Sequence, residues 1–422
     1  MLFRSLIETA ASARSEDADV REIALRALAR MADPQAVVPL VDALSHAEGW
    51  LAPRITDILV RHGENSVEPL LAFLDSHVRH PARPWAIAAL GEIKSRRAYP
   101  MLIRSLNDPD DEVRAKAATA LGLLGDRRAA GYLLERLLGD PAPFVRARIA
   151  TALGQFNDPE VIDRLVRALG DPAWWVRLRS VEALEHIGGD AEGPLLAALD
   201  DTDPEIRTRA AVALERLGVT ARLVRAIAEG EPPENVATVL EKFASSGATE
   251  LLAEELDHRS PAVRRAVLAA VRHAARRDLS PEIVRLATQD VEADIRAAAL
   301  EALADLGASD ALTAAVAGAN DPAPDVRRAS ITLLGLAGGA TEFGTVRALA
   351  RDADATVRAA AARALPRLDR DAAIGIMPEL MQDADAAVRC AALEAASAAD
   401  LKGLAGPASE RLGDPEIGRA HV

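Results

Sequence analysis

The 422-residue chain has few aromatic side chains and a single cysteine, and each scarcity excludes a class of structure. Aromatic residues make up 3% of the chain although hydrophobic residues make up 50%, so any core must consist mainly of alanine and aliphatic side chains. Cys390 has no partner with which to form an intramolecular disulfide bond. Since no apolar run reaches the length of a transmembrane helix, no membrane segment is expected within these residues.

Basic residues are in the minority, with 50 Lys and Arg against 64 Asp and Glu, which gives a formal net charge of −14. A phosphate-binding surface needs a basic stripe, and no Lys/Arg run with interleaved aromatic residues occurs. The sequence also lacks a glycine-rich phosphate loop and a Gly-x-Ser-x-Gly elbow, two patterns that mark catalytic sites. We therefore expect no nucleic acid partner, and we assign no catalytic residue, cofactor or metal site.

What the chain does contain is a repeated unit. Val113, Val145 and Val176 each precede an arginine and follow one another at intervals of 32 and 31 residues. A fixed period near 31 residues is typical of a solenoid, here of about thirteen repeats. The Val-Arg or Ile-Arg pairs begin at Val20, Val113, Val145, Val176, Ile206, Val263, Ile295, Val326, Val357 and Val388, and weaker copies fit near Leu51, Ala82 and Val236.

Each repeat predicts two helices, of which the first carries the Val-Arg pair. Asp108 is placed to cap such a helix, and Pro109 suits its first position because no N–H is needed there. Apolar residues then follow at spacings of three and four as far as Gly125, where the first helix should end. A second stripe of apolar residues follows and predicts the second helix. No segment alternates between apolar and polar residues with the period of two that is typical of a strand. The predicted fold class is therefore all-α, a solenoid of two-helix repeats.

The string D-P-x-x-x-V-R-x-x-A-x-x-A-L-G resembles the HEAT repeat, in the short bacterial form known as the bilin-lyase-like (PBS lyase) HEAT repeat. The resemblance covers residues 6–415 and implies a non-catalytic scaffold that binds protein partners and needs no cofactor. It also implies that first helices line the convex side and second helices the concave side. Finally, it implies a ladder between repeats, formed with neighbouring acidic groups by Arg114, Arg146, Arg177, Arg207, Arg264, Arg296, Arg327, Arg358 and Arg389.

Irregularities in the pattern divide the chain. The interval shrinks to 27 residues between Val236 and Val263, after a turn that contains Pro232 and Pro233. We expect an N-terminal array at 6–230, a shortened unit and possible hinge at 231–261, and a C-terminal array at 262–415; a tolerated surface irregularity is the alternative to a hinge. The strings at 1–5 and 416–422 match translations of a common sequencing adapter, so we expect the chain to be an internal fragment.

Aromatic residues occupy a position that is usually polar. The residue before each Val-Arg pair is acidic or polar in most repeats and should be exposed near the start of the first helix. Three repeats have an aromatic residue there instead, namely Trp50, Phe144 and Trp175. A second tryptophan, Trp174, directly precedes Trp175. An exposed aromatic cluster of this kind is typical of a protein-binding site. The alternative is that these rings fold over and shield the turn between repeats.

Four interpretations, as a di-iron hydroxylase, a metal site, a catalytic thiol or a DNA glycosylase, find little support in the residues. HEAT-like hydroxylases that hold two irons use His-Glu dipeptides, and none occurs here. His77 and His80 have a possible metal-ligand spacing, but no cysteine or carboxylate set accompanies them. Cys390 stands beside a ladder arginine, where a small buried residue is expected. A HEAT-like DNA glycosylase would need a basic concave face, which the net charge disfavours.

Two other functions remain open as alternatives to a cytoplasmic bacterial scaffold. One is a bilin lyase or a lyase-related protein, which would share this type of repeat. The other is the soluble arm of a membrane-anchored HEAT protein that works beside an envelope enzyme, in which case the anchor lies outside these residues. The sequence does not identify the partner in any of these interpretations.

Overall fold

The computed structural model describes residues 33–401, apart from 48–49, 233, 248–249 and 308–310, together with Leu404 and a few positions between 5 and 30. Every regular element within these residues is a helix, so the predicted all-α class is confirmed. The Val-Arg pair at Val20 and the terminal strings at 1–4 and 416–422 lie outside the described residues.

The chain divides into two compact units, Met1–Gly218 and Val219–Val422. In the first unit, even-numbered helices are first helices and odd-numbered helices are second helices. They are α1 (Val37–Ser45), α2 (Leu51–Arg61), α3 (Val67–Ser76), α4 (Arg83–Ile93), α5 (Tyr99–Ser105), α6 (Asp111–Leu124), α7 (Ala129–Leu137), α8 (Pro143–Leu153), α9 (Pro159–Ala168), α10 (Trp174–Ile187), α11 (Glu192–Ala198) and α12 (Pro204–Arg216).

The second unit continues the same alternation, and its first helices are α14, α16, α18, α20, α22 and α25. Its helices are α13 (Val219–Glu229), α14 (Val236–Ser245), α15 (Glu250–Ala253), α16 (Pro261–His273), α17 (Ser280–Gln289), α18 (Ala293–Leu306), α19 (Leu312–Gly318), α20 (Pro324–Ala337), α21 (Phe343–Leu349), α22 (Ala355–Leu368), α23 (Arg370–Ala373), α24 (Met377–Leu380) and α25 (Ala386–Ala398). The division between the units precedes the irregular repeat, so a hinge at 231–261 stays a prediction.

The first helices begin two residues later than the sequence pattern predicts. Asp108 does not cap α6, because the N-cap is Asp110, whose carboxylate accepts from the backbone N–H of Glu112 at 2.9 Å. Asp108 instead accepts from the N–H of Asp110 at 3.0 Å and forms a turn before the helix. The predicted end is confirmed, since Gly125 adopts the left-handed conformation (φ 66°) at the C-cap.

Successive first helices pack almost backbone to backbone. A Cβ atom placed on Gly91 of α4 would lie 2.5 Å from the Cβ and 2.7 Å from the Cα of Ala120 in α6. In the second unit, a Cβ on Gly335 of α20 would lie 2.7 Å from the Cβ of Ala364 in α22. Only a residue without a side chain allows this approach, which explains a core rich in alanine and poor in aromatic rings.

The second helices of successive repeats contact one another far less than the first helices do. The close approaches at Gly91, Gly122 and Gly335 all lie between neighbouring first helices. The assignment of first helices to the convex side and of second helices to the concave side stays a prediction.

Substituting Gly91 with alanine should destabilise the protein even though alanine favours helices. The added methyl group would overlap Ala120, and overpacking of this kind costs about 1–3 kcal/mol. Gly131, in α7, is the matched control because a Cβ there meets no atom within 4 Å. Thermal melts followed by circular dichroism should show a lower Tm for G91A and an equal or higher Tm for G131A. Equal effects of the two substitutions would contradict the close approach.

Candidate protein-binding surface

A buried ion pair joins each repeat to the next along most of the chain. Arg114, beside the anchor valine of α6, donates from Nε and Nη2 to both carboxylate oxygens of Asp140, at 2.8 and 3.0 Å. Its Nη1 donates to the carbonyl oxygen of Asp108, six residues earlier, at 3.0 Å. The two side chains are only 9% and 1% exposed. One guanidinium therefore links the turn of its own repeat to the start of the following repeat.

The aspartate of each pair also shapes the turn before its own helix. Asp140 Oδ1 accepts from the N–H of Ala142 at 3.0 Å, directly before α8 begins. The carboxylate thus receives bonds from the preceding repeat and from its own backbone. The same arrangement occurs in the pairs Arg146–Asp171, Arg264–Asp290, Arg296–Asp321, Arg327–Asp352 and Arg358–Asp383.

The remaining arginines of the expected ladder differ from these pairs. Arg177 Nε lies 2.8 Å from Glu205 Oε1, an ion pair whose angles do not satisfy a hydrogen bond. Arg207 donates to the carbonyl oxygens of Asp201 and Thr202. In the same way, Arg389 donates to the carbonyl oxygens of Asp383 and Ala384.

One further ladder member is Arg83, whose Nη2 donates to the carboxylate of Asp108 at 2.8 Å. Arg83 follows Ala82 rather than valine, so the Val-Arg pattern did not include it. Its Nη1 also donates to the carbonyl oxygen of His77, six residues earlier, at 3.1 Å. In the sequence, Arg83 stands 114 − 83 = 31 residues before Arg114, and this repeat period is the signal that would have found it.

Two described repeats lack both members of the ion pair. Ala52 occupies the arginine position in α2, and His77 occupies the matching aspartate position. Ala237 in α14 is likewise matched by His258, whose Nδ1 accepts from the N–H of Ser260 at 3.0 Å and so retains the turn. Removing both partners avoids an unpaired buried charge, which is the costly alternative. A histidine at the aspartate position does not always accompany the loss of the arginine. His46 occupies the aspartate position that matches Arg21, an arginine that lies outside the described residues.

Replacing one member of a buried pair should be far more harmful than replacing both. Arg146→Ala leaves the Asp171 carboxylate, which is 4% exposed, without its guanidinium, and such losses cost about 3–5 kcal/mol. Adding Asp171→His reproduces the natural Ala52 and His77 combination and should recover part of the stability. Chemical denaturation of the two variants measures both effects.

A matched control for this test is Arg104→Ala. Arg104 pairs with Asp75 at 2.7 Å, but both side chains are more than half exposed, so its loss should cost less than about 1 kcal/mol. Equal costs for Arg104→Ala and Arg146→Ala, or no recovery in the double variant, would show that burial of the pair is unimportant.

The ladder also predicts how stability responds to acid. The hydrogen-bonded Arg327 guanidinium holds the pKa of Asp352 below its ordinary value, although burial opposes the shift. A depressed pKa contributes stability that is present above the unfolded-state value of about 3.9 and is lost as the pH falls through the folded-state value. The Tm should therefore fall steeply below about pH 4, and Asp352→Asn should lower the Tm at neutral pH while reducing that acid dependence. Parallel pH profiles for the two proteins would refute this role.

The four predicted partner-binding residues are all exposed at the starts of first helices in the first unit. Trp50 precedes α2 and is 51% exposed, Phe144 lies in the first turn of α8 at 38%, and Trp174 and Trp175 begin α10 at 60% and 41%. These exposed fractions leave part of each ring accessible to a partner, and the alternative in which the rings shield the turn between repeats stays a prediction. The same position is exposed in most other repeats, for example at Glu112.

Phe144, Trp174 and Trp175, which we call the aromatic cluster, lie on adjacent helices. The centroids of the two tryptophan rings are 5.6 Å apart and their planes are inclined at 56°. Helices α8 and α10 pack against each other, and Phe144 and Trp175 occupy equivalent positions on them. The cluster therefore presents exposed apolar surface at the starts of two neighbouring first helices of the first unit.

The other residues considered in the sequence take part in local packing. The His77 ring stacks on Phe73 with centroids 4.6 Å apart, and His80 meets both rings edge-on. Burial lowers the pKa of His80, and the nearby His77 and His46 lower it further. Cys390 is buried, and burial together with Glu394 raises the pKa of its thiol.

The described part of the chain has neither a cluster of metal ligands nor a helix that could span a membrane. No group of three or more His, Cys, Asp or Glu side chains there is arranged to hold a metal ion. None of the described helices has both the length and the apolar character needed to cross a bilayer.

Comparisons with known proteins identify the repeat. A model of HEAT repeats matches residues 67–150, 132–215, 249–335 and 344–416, and a model of the PBS lyase HEAT-like repeat matches residues 20–46. No curated protein matches the chain by sequence.

Several solved structures are similar to the chain. An engineered protein has 18% identity and a TM-score of 0.32, with 95% of this chain and 99% of that chain covered. Kap121p has 12% identity and a TM-score of 0.40, with 100% and 66% covered. Importin beta has 15% identity and a TM-score of 0.40, with 95% and 61% covered.

Proposed function

Because the chain belongs to the HEAT-repeat family, we propose that it is a non-catalytic scaffold that binds a protein partner through the exposed starts of first helices in its first unit. The observation that carries this proposal is the exposed aromatic cluster of Phe144, Trp174 and Trp175. Large aromatic side chains dominate binding energy at protein interfaces, because they bury much area at a low cost in conformational entropy.

The ladder orders the turn that precedes the two tryptophans, and it does so without a partner. The turn that precedes Trp174 begins at Asp171, which receives two hydrogen bonds from Arg146, at 2.8 and 2.9 Å. Arg177 donates to the carbonyl oxygens of Asp171 and Pro172 at 2.9 and 3.2 Å. A binding surface that is already ordered loses less entropy on association, so this rigid turn supports a role in binding.

Polar groups surround the aromatic cluster, as they do at the rim of many protein interfaces. Arg148 is exposed one turn beyond Phe144 in α8, and Arg179 pairs with Glu182 at 2.6 Å one turn beyond Trp175. A partner with an apolar centre and polar edges would fit this arrangement.

The bilin-lyase-like function, the membrane-associated function and the cytoplasmic location stay predictions.

The test is the double variant Trp174→Ala/Trp175→Ala in a capture experiment from a lysate of the source organism. Loss of two central aromatic side chains should weaken capture of a specific protein by at least about thirtyfold, as expected for a loss of 2 kcal/mol or more. The thermal melt should stay close to that of the unmodified protein, because both rings are exposed.

Tyr132→Ala is the matched control, since Tyr132 is 48% exposed on the second helix α7 and lies outside the aromatic cluster. This variant should capture the same protein as the unmodified chain. Equal loss with Tyr132→Ala, or a large fall in Tm for the tryptophan variant, would contradict a binding role for the cluster.

A further inference from the structure

Ion pairs cross between neighbouring first helices on the exposed face of the second unit. Arg265 of α16 pairs with Asp294 of α18. Arg272, two turns further along α16, pairs with Asp305 at 2.5 Å. From the other side, Arg328 of α20 reaches back to Glu301 of α18 at 3.2 Å. On these helices the exposed arginines are therefore neutralised by carboxylates across the helix boundary.

This pattern stops at α22. Arg363 and Arg367 lie one helical turn apart on its exposed face, and neither forms an ion pair with any residue in the described part of the chain. On the side of α20 no carboxylate lines the cavity beside them, since α20 presents Arg328, Thr332 and Gly335 there. On the side of α25, Glu394 stands among alanine residues. Two guanidinium groups therefore face solvent on a chain whose net charge is −14.

The same two arginines lie between two cavities. One cavity, between α20, α22 and α25, has a volume of about 320 Å³ and a floor of small residues that includes Ala359, Ala360 and Ala364. The other, between α22 and α25, has a volume of about 550 Å³ and is also lined by Arg370, Glu394 and Asp400. The first cavity, which we call the groove, is lined by Arg328, Arg363, Arg367 and mostly small residues, and no carboxylate lines it.

We propose that this groove binds an acidic peptide segment of a protein partner. Side chains four residues apart on a helix have Cβ atoms about 6 Å apart. Alternate side chains of an extended peptide are about 7 Å apart on one face, so two acidic residues at alternate positions match Arg363 and Arg367. Each guanidinium can hold a carboxylate through two parallel hydrogen bonds, and the small floor leaves room for the peptide backbone.

The groove fits a peptide better than a nucleic acid. No aromatic residue lines either cavity, so bases would find no ring on which to stack. A long polyanion would also meet the repulsion of the acidic chain, whereas a short acidic segment meets mainly the local positive charge. The proposal uses residues of the second unit and does not depend on the aromatic cluster.

The experiment measures fluorescence anisotropy of a labelled peptide of alternating glutamate and alanine, titrated with the full chain. The unmodified protein should bind this peptide, and salt should weaken the affinity. The double variant Arg363→Gln/Arg367→Gln should weaken binding by at least about tenfold, since it removes two charge-assisted interactions. Because both side chains are exposed, the melting curve of the variant should be unchanged.

Three controls decide the result. Arg265→Gln removes an exposed arginine that is already paired and should bind as the unmodified protein does. Trp174→Ala/Trp175→Ala should also bind normally, which separates this groove from the aromatic cluster. A peptide of alternating glutamine and alanine should not bind. Equal binding of the two peptides, equal binding by the arginine variant, or tighter binding of a single-stranded oligonucleotide of matched charge would overturn the proposal.

Discussion

The buried guanidinium–carboxylate pair between successive repeats is the interaction on which the rest of this structure depends. It acts at the turns, where helix ends leave backbone groups that packing alone cannot satisfy. Each arginine satisfies carbonyl oxygens of its own turn, and each aspartate satisfies an N–H at the start of the next helix. The pair therefore fixes where one repeat ends and how the next one begins, which a core of alanine and leucine could not specify by itself.

The energetics of such pairs explain how repeats without them persist. A buried ion pair gains little over an apolar substitute, while a lone buried charge is strongly destabilising. Repeats that lack the arginine also lack the aspartate, as Ala52 with His77 and Ala237 with His258 illustrate. Histidine retains one local function of aspartate, because its Nδ1 accepts the turn N–H at His258. The local turn is thus kept even where the link between repeats is lost.

The period of the Val-Arg pairs was sufficient to predict the helical repeats, since spacing of apolar residues reflects helical geometry directly. The start of the first helix was misplaced, because Asp108 and Asp110 are both suitable caps and only the three-dimensional turn distinguishes them. The close packing of successive first helices could not be read from the pattern either. It depends on how closely Gly91 approaches Ala120 across a repeat boundary, and glycine alone does not reveal its neighbour.

The same constraint separates the positions that hold the fold from those that can acquire a function. On each first helix, one face is restricted to small residues by the close packing, and the turn is restricted by the ladder. The exposed positions carry neither restriction, so their chemistry can change from repeat to repeat without altering the backbone. Tryptophans at the start of α10 and uncompensated arginines on α22 are two results of this freedom. A regular scaffold can in this way present an apolar surface in one unit and a positively charged groove in the other.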